Sequence, residues 1–177
     1  MANTYTLIAS NSLTTTTSSV TFSSIPATYT DLKVVGSTRS STSDQTLLYR
    51  FNASTSNYTA KYLGGTGTAT ESGNLTTLTA GAGGTWGRIG NAGVNASTTT
   101  ATTFSNWELY IPNYASANNK SSSFNSVTEN NATEAFAEVD APLWSDTAAI
   151  TSVGFAVYNT GSFVQYSTFY LYGIKNS

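Results

Sequence analysis

The sequence predicts an all-β protein, an antiparallel, jelly-roll-like β-sandwich of about ten strands. Two observations support this fold class. Apolar and polar residues alternate with a period of two along most of the chain, which is the spacing of a half-buried strand. Turn-forming residues separate these runs at roughly even intervals, as is typical of sandwiches and barrels. No capped, amphipathic segment of three helical turns is visible.

The predicted strands of the first half follow from this alternation. Around Val20 and Phe22, apolar residues alternate with Ser and Thr, and Leu32 and Val34 alternate with Lys33. The last two predicted strands of this half, Tyr58–Gly64 and Trp86–Asn91, have weaker alternation than the others. In order, the predicted strands are Thr4–Ala9, Ser19–Ser23, Asp31–Ser40, Leu47–Asn52, Tyr58–Gly64 and Trp86–Asn91.

The second half shows the same alternation more clearly. Trp107, Leu109 and Ile111 oppose Glu108 and Tyr110, so one face of this strand is apolar. In the final strand, Phe169 and Leu171 alternate with Tyr170 and Tyr172 in the same way. In order, the predicted strands are Phe104–Ile111, Ser122–Glu129, Ala135–Val139, Val153–Tyr158 and Ser167–Lys175. Predicted turns lie at Ile25–Ala27, Ser54–Asn57, Pro112–Asn113, Ala117–Asn119 and Asn159–Gly161.

The length and composition predict a single domain over residues 1–177. A chain of 177 residues is long enough to bury a core, and its 12% aromatic content argues against disorder. One segment differs, because Gly64–Asn95 is rich in glycine and poor in apolar periodicity. We expect a loop or arm at about 64–95, either a solvated insertion or an assembly arm that orders against a neighbouring subunit.

The composition excludes much of the usual enzyme chemistry. The chain has no His and no Cys, only 9% charged residues, and about a third of it is Ser or Thr. An imidazole base, a thiolate nucleophile, a zinc knuckle and a disulfide are therefore excluded. We expect a protein that is not an enzyme, with no catalytic residues, no cofactor and no metal.

Carboxylates are the remaining catalytic candidates. A glycosidase needs two of them about 5–10 Å apart over a cleft, one with a raised pKa. Glu108 is the best single candidate, but a place on the solvent face, paired with Lys or Arg, is the favoured interpretation. Glu134, Glu138 and Asp140 could supply some ligands of a Ca²⁺ site. A solvated acidic edge is the favoured interpretation here, because no calcium-loop spacing is present.

Aromatic residues in or beside predicted loops are candidate contacts for a glycan or a protein partner. Flat rings beside Asn and Thr match both the apolar faces and the hydroxyls of sugars. The alternative is that most of these rings cap the core or line a subunit interface. The candidates are Tyr58, Tyr62, Trp86, Tyr114, Trp144 and Tyr166.

The charge and hydropathy patterns limit the partners. A net charge of −2 gives no basic stripe, so nucleic acid is not expected as a partner. No apolar run of about 18 residues is present, and the first residues lack the pattern of a secretory signal, so membrane insertion is not expected.

Three segments add a resemblance to a known group of proteins. They read VTFSSIPATYTDL at 20–32, FSNWELYIPNY at 104–114 and STFYLYGIKNS at 167–177. They resemble an N-terminal element, a central strand and a closing strand of small virion proteins of tailed phages, especially cyanophages and other marine phages. The resemblance implies a jelly-roll-like sandwich and no catalytic residues. It also implies core or turn roles for Ile25, Pro26, Leu32, Trp107, Ile111, Phe169, Leu171 and Gly173.

Together these observations favour a capsid decoration (cement) protein on the virion surface, made in the host cytoplasm. The expected partners are the major capsid protein or another virion protein, and further copies of the chain in a homotrimer. The alternative function is a fibre-tip or head-appendage protein that binds a host-surface polysaccharide.

Overall fold

The computed structural model describes residues 4–91, 93–128 and 136–175, which form two antiparallel sheets packed face to face. The described residues contain strands and no helix. The strands, in chain order, are β1 (Tyr5–Ser12), β2 (Ser19–Phe22), β3 (Asp31–Thr38), β4 (Leu47–Phe51), β5 (Tyr58–Gly65), β6 (Thr70–Leu75), β7 (Thr77–Thr79), β8 (Thr85–Ile89), β9 (Ser105–Ile111), β10 (Lys120–Ser121), β11 (Ser123–Thr128), β12 (Phe136–Trp144), β13 (Val153–Val157) and β14 (Thr168–Ile174).

The large sheet has the strand order β1-β14-β3-β9-β11-β12-β5-β6, with β10 also paired to β12. The small sheet has the order β2-β13-β4-β8-β7. Strands from the two ends of the chain lie side by side, because β3 pairs with β14 in the large sheet and β4 pairs with β13 in the small one. All of the described strand pairs are antiparallel.

The core between the sheets is built from the inward residues of the alternating strands. Trp107 on β9 packs against Phe155 of the small sheet at 4.9 Å between ring centroids, and against Phe169 on β14 at 5.9 Å. Its indole N–H donates to the hydroxyl of Thr38 at 3.0 Å, so the polar atom of this buried ring is satisfied. This aromatic cluster joins the middle of the large sheet to the small sheet.

The loop before β9 is organised around one buried cation. Arg39 follows β3 and is 9% exposed. Its guanidinium donates to the carbonyl oxygens of Ser97, Thr99, Thr100 and Thr103 at 2.9–3.1 Å. Because a planar guanidinium has five N–H donors in fixed directions, it can hold several carbonyls of one loop at once.

The prediction of an all-β antiparallel sandwich is confirmed, with more strands than the ten expected. Strands β6, β7 and β8 all lie inside the 64–95 segment, so much of that segment is sheet. β6 and β7 were not predicted because they consist largely of small or polar residues with no apolar alternation. The predicted strand ends Glu129 and Ala135 lie outside the described residues.

The framework positions implied by the resemblance fall where a core and a turn need them. Pro26 is exposed in the turn between β2 and β3, and Gly173 is buried on β14. The other framework positions are at most 5% exposed, namely Ile25, Leu32, Trp107, Ile111, Phe169 and Leu171.

Candidate functional site

Four of the six candidate aromatic residues are core residues, so the prediction that they are surface contacts is wrong for these four. Tyr58, Trp86, Tyr114 and Trp144 are at most 4% exposed. The ring of Tyr58 stacks on that of Trp144 at 6.2 Å, and the Tyr58 hydroxyl accepts a hydrogen bond from the N–H of Phe51 at 2.8 Å. Aromatic residues at strand ends therefore fold back to close the end of the core instead of facing a ligand.

Trp86 is buried on the other side of the small sheet. It forms a separate cluster with Leu48, Ala80 and Ala156, and the Arg50 guanidinium lies 3.8 Å from the centre of its ring. The indole N–H donates to the carbonyl of Gly83 at 2.9 Å. A cation over the indole face and a satisfied N–H make this ring a structural anchor of the 77–86 hairpin.

Tyr62 and Tyr166 remain as candidate contacts. Tyr62 is half-buried and lines a small cleft beside β5, whereas Tyr166 is 70% exposed in the loop before β14 and does not line that cleft. The other residues that line the cleft are Gly64, Gly65, Thr66, Glu71, Asn91, Phe136, Ala137 and Glu138.

Glu108 lies on the outer face of the large sheet, as the favoured interpretation expected. Its carboxylate forms an ion pair with Lys33 at 2.5 Å and accepts a hydrogen bond from Asn125 at 3.0 Å. The hydrogen bonds from Lys33 and Asn125 hold the pKa of Glu108 below its ordinary value. A carboxyl group with a lowered pKa remains ionised at neutral pH, so Glu108 is unsuited to act as a general acid.

On strand β12 the acidic side chains face the interior and the aliphatic side chain between them faces solvent, which is the reverse of the usual arrangement. Glu138 and Asp140 are 4% and 2% exposed, while Val139 between them is 60% exposed. The expectation of a solvated acidic edge is therefore wrong for these two acids. Glu134 lies outside the described residues.

Backbone donors from the segment after β8 explain why the acids can be buried. The N–H of Gly90 donates to Asp140 Oδ2 at 2.6 Å, and the N–H of Asn91 donates to Glu138 Oε2 at 2.5 Å. Each of these hydrogen bonds satisfies one oxygen of a buried acid, which would be costly to bury without a donor. They join β12 to the end of β8, which lies in the other sheet.

The electrostatics of this buried pair are unusual. Burial, followed by the charge of Glu138, raises the pKa of Asp140 to about 8. The guanidinium of Arg88 acts in the opposite direction. Across the core, burial raises the pKa of the Tyr49 hydroxyl, and the nearby Asp140 adds to that effect. Asp140 therefore retains a proton at neutral pH in the absence of another positive charge.

The outward residues of β12 and its neighbours form an exposed aliphatic patch. Val139 lies directly opposite Leu63 of β5, and Val127 extends from the adjacent strand β11. Leu63, Val127 and Val139 are 63%, 51% and 60% exposed, and we call these three residues the outer patch. In an ordinary solvated sheet face these positions would carry polar side chains.

The rest of this sheet face is weakly charged. Its described charged residues are Lys33 and Glu108, which pair with each other, Lys61, which hydrogen-bonds Asn74, and the buried Asp31, which accepts a hydrogen bond from Tyr110. On β9, β3 and β14, other outward positions carry Tyr and aliphatic side chains. On β1, at the edge of the sheet, Tyr5 and Leu7 are about half exposed. Few charges and several tyrosines are the composition of a protein-binding surface.

The outer patch and the two backbone donors at Gly90 and Asn91 were not predicted from the sequence. The available signal was the run Ala-Glu-Val-Asp-Ala at 137–141, in which apolar and acidic residues alternate. Alternation shows that the two sets face opposite sides, but it does not show which set is inside. The usual preference for buried Val over buried Glu gave the wrong choice.

Within the described residues, no three or more acidic, His or Cys side chains are placed together to hold a metal ion, and no helix could span a membrane. The comparisons with known proteins give no relatives: no family model, no curated protein and no solved structure matches this chain.

Proposed function

We propose that the protein is a structural component of a tailed-phage virion that decorates and reinforces the capsid surface without catalysis. Two lines of support combine. The segments at 20–32, 104–114 and 167–177 resemble phage virion proteins, and the resemblance implies a jelly-roll-like sandwich. The fold is a sandwich, and among the described residues the outer face of the large sheet is exposed and weakly charged. The observation that carries the proposal is the outer patch in the middle of strands β11, β12 and β5.

The size of the uncovered face suits a specific protein contact. Eight strands about 4.8 Å apart and about seven residues long present a face of roughly 900 Å². A standard interface buries about 800 Å² on each partner. The occupant that we propose is the neighbouring capsid shell protein, because such a contact adds buried area between lattice subunits and resists internal pressure without chemistry.

The few charges on this face also suit a flat protein surface. Lys33 and Glu108 neutralise each other, so docking does not require a strongly charged partner. Rotational symmetry would allow one patch to serve each copy of a homotrimer, which is the assembly that we propose for the bound form.

The alternative function, a fibre tip or head appendage that binds host glycans, has lost most of its candidate contacts. Only Tyr62 and Tyr166 of the six aromatic residues remain accessible, and they do not line one cleft. No observation favours this function over decoration.

Rebinding to capsids from which the protein has been removed tests the proposal. Leu63→Glu and Val139→Glu introduce a charge into the outer patch, and we expect both to reduce binding at least tenfold. Tyr166→Glu is the matched control, because it introduces the same charge at a similarly exposed side chain outside the large sheet. The binding of this variant should be unchanged. Equal binding by all three variants, or binding to host polysaccharide in place of capsids, would contradict the proposal.

A further inference from the structure

We propose that the protein binds one divalent cation, Ca²⁺ before Mg²⁺, between β12 and the end of β8, through the carboxyl groups of Glu138 and Asp140. This site is independent of the proposed virion role. Its basis is the geometry of the buried acids and of the neutral oxygen atoms around them.

The two carboxyl groups are already positioned side by side. Glu138 and Asp140 are two residues apart on β12, so both side chains point to the inner face of the large sheet. One oxygen of each is held by a backbone N–H, from Asn91 and Gly90, at 2.5 and 2.6 Å. Such outer hydrogen bonds fix the orientation of carboxylate ligands in metal sites.

Buried oxygen atoms without a hydrogen-bond partner provide a second observation. Among the described residues, the Ser126 hydroxyl and the Tyr49 hydroxyl are buried and have no hydrogen-bond partner, in residues that are at most 2% exposed, while the carboxyl groups of Asp140 and Glu138 hydrogen-bond each other. Ser126 lies directly opposite Glu138 in the pairing of β11 with β12, which brings their Cβ atoms to about 5 Å. Tyr49 lies close enough to Asp140 for the two groups to interact electrostatically. A bound cation with its waters would satisfy these atoms, which are otherwise costly to bury.

The ligand atoms determine the class of cation. Carboxylate and hydroxyl oxygens suit hard cations such as Ca²⁺ and Mg²⁺, and the chain has no His or Cys for softer metals. Two carboxylates with neutral oxygens and water form an irregular set of ligands. Ca²⁺ accepts such a set, whereas Mg²⁺ requires a near-ideal octahedron.

The surroundings provide an entry path and a charge balance. Glu71 on β6 and Glu138 line the same cleft, and Gly64 on the strand between them leaves the path without a side chain. Arg88 near Asp140 supplies positive charge on one side of the buried pair, and a divalent cation would add positive charge between the two carboxyl groups. By joining β12 to the end of β8, the cation would also stiffen the strand that carries Val139.

Thermal unfolding and terbium luminescence test this site with the metal alone as the probe. We expect millimolar CaCl₂ to raise the Tm of the wild type by several degrees relative to EDTA, because the cation binds only the folded state. Tb³⁺ should bind in competition with Ca²⁺ and show emission sensitised by Tyr49.

The variants separate this site from non-specific binding. Asp140→Asn and Ser126→Ala should reduce both the Ca²⁺-dependent rise in Tm and the Tb³⁺ emission, while Glu108→Gln, on the opposite face of the sheet, should keep both. Circular dichroism in EDTA confirms that each variant is folded. No rise in Tm for the wild type, or an equal rise for Asp140→Asn, would overturn the proposal.

Discussion

Gly36 on β3 lies directly opposite Trp107 on β9, and the indole ring fills the space that a Cβ atom at position 36 would need. Three ring carbons of Trp107 would be in overlap with such an atom. The ring in turn packs against Phe155 of the small sheet, so the absence of a side chain at residue 36 allows the two sheets to be joined at this point.

Replacing Gly36 by Ala should therefore destabilise the protein. We expect a loss of about 1–3 kcal/mol in the free energy of unfolding, because the ring must move within a close-packed core. Urea denaturation followed by tryptophan fluorescence measures the loss. Gly65→Ala is the matched control on a strand, since a Cβ there meets only the carbonyl of Ala69 at 3.9 Å. An equal loss in both variants would contradict this account of the Trp107 contact.

The buried guanidinium of Arg39 gives a second prediction. Arg39→Lys keeps the positive charge but lacks the planar fork, so it cannot donate to all four carbonyls of the 97–103 loop. We expect a loss of about 2–4 kcal/mol in the free energy of unfolding, together with faster amide hydrogen exchange within 97–103. If exchange in this loop is unchanged, the guanidinium does not hold the loop.

The reassignment of the aromatic residues gives a third prediction. Trp144→Ala removes a buried ring that packs on Phe51 and Tyr58, so the free energy of unfolding should fall by about 3–5 kcal/mol. Tyr166→Ala removes a ring that is 70% exposed and should change it by less than about 0.5 kcal/mol. Chemical denaturation of the two variants provides the comparison. Similar values for both would mean that the ring of Trp144 is not buried.

The ion pair between Lys33 and Glu108 gives a prediction about pH. Because the pKa of Glu108 is lowered in the folded state, its contribution to stability is present above its unfolded pKa and is lost as the pH falls through its folded value. The side chains are 23% and 37% exposed, so the contribution at neutral pH should not exceed about 1 kcal/mol.

Urea denaturation of the wild type and Glu108→Gln between pH 7 and about pH 3 checks this prediction. The difference between the two proteins should be present at neutral pH and disappear in acid. A difference that grows as the pH falls would have the wrong sign for this ion pair.

The fold class was predictable because most strands bury one set of alternating side chains. The sets containing Trp107, Leu109 and Ile111, and Phe169 and Leu171, are strongly apolar, so the core and these strands follow from the sequence alone. β6 and β7 were not predictable in this way. These two strands consist largely of residues such as Thr, Ser, Gly and Asn. β6 is a strand because it pairs with β5, and β7 is a strand because it pairs with β8.

The candidate site was less predictable because it depends on contacts between distant parts of the chain. The acids of β12 can be buried only because the N–H groups of Gly90 and Asn91 are brought to them, about fifty residues away in sequence. Once those acids face inward, Val139 must face outward. The same long-range packing buries Trp86 and Trp144, which local sequence places beside loops.

A search for the protein in a phage particle tests the proposed capsid role most directly. We expect a cryo-electron microscopy map of the intact particle to show hundreds of copies on the capsid surface, with Leu63, Val127 and Val139 in contact with the shell protein. A handful of copies at the tail, or copies on the capsid whose large sheet faces solvent, would contradict it.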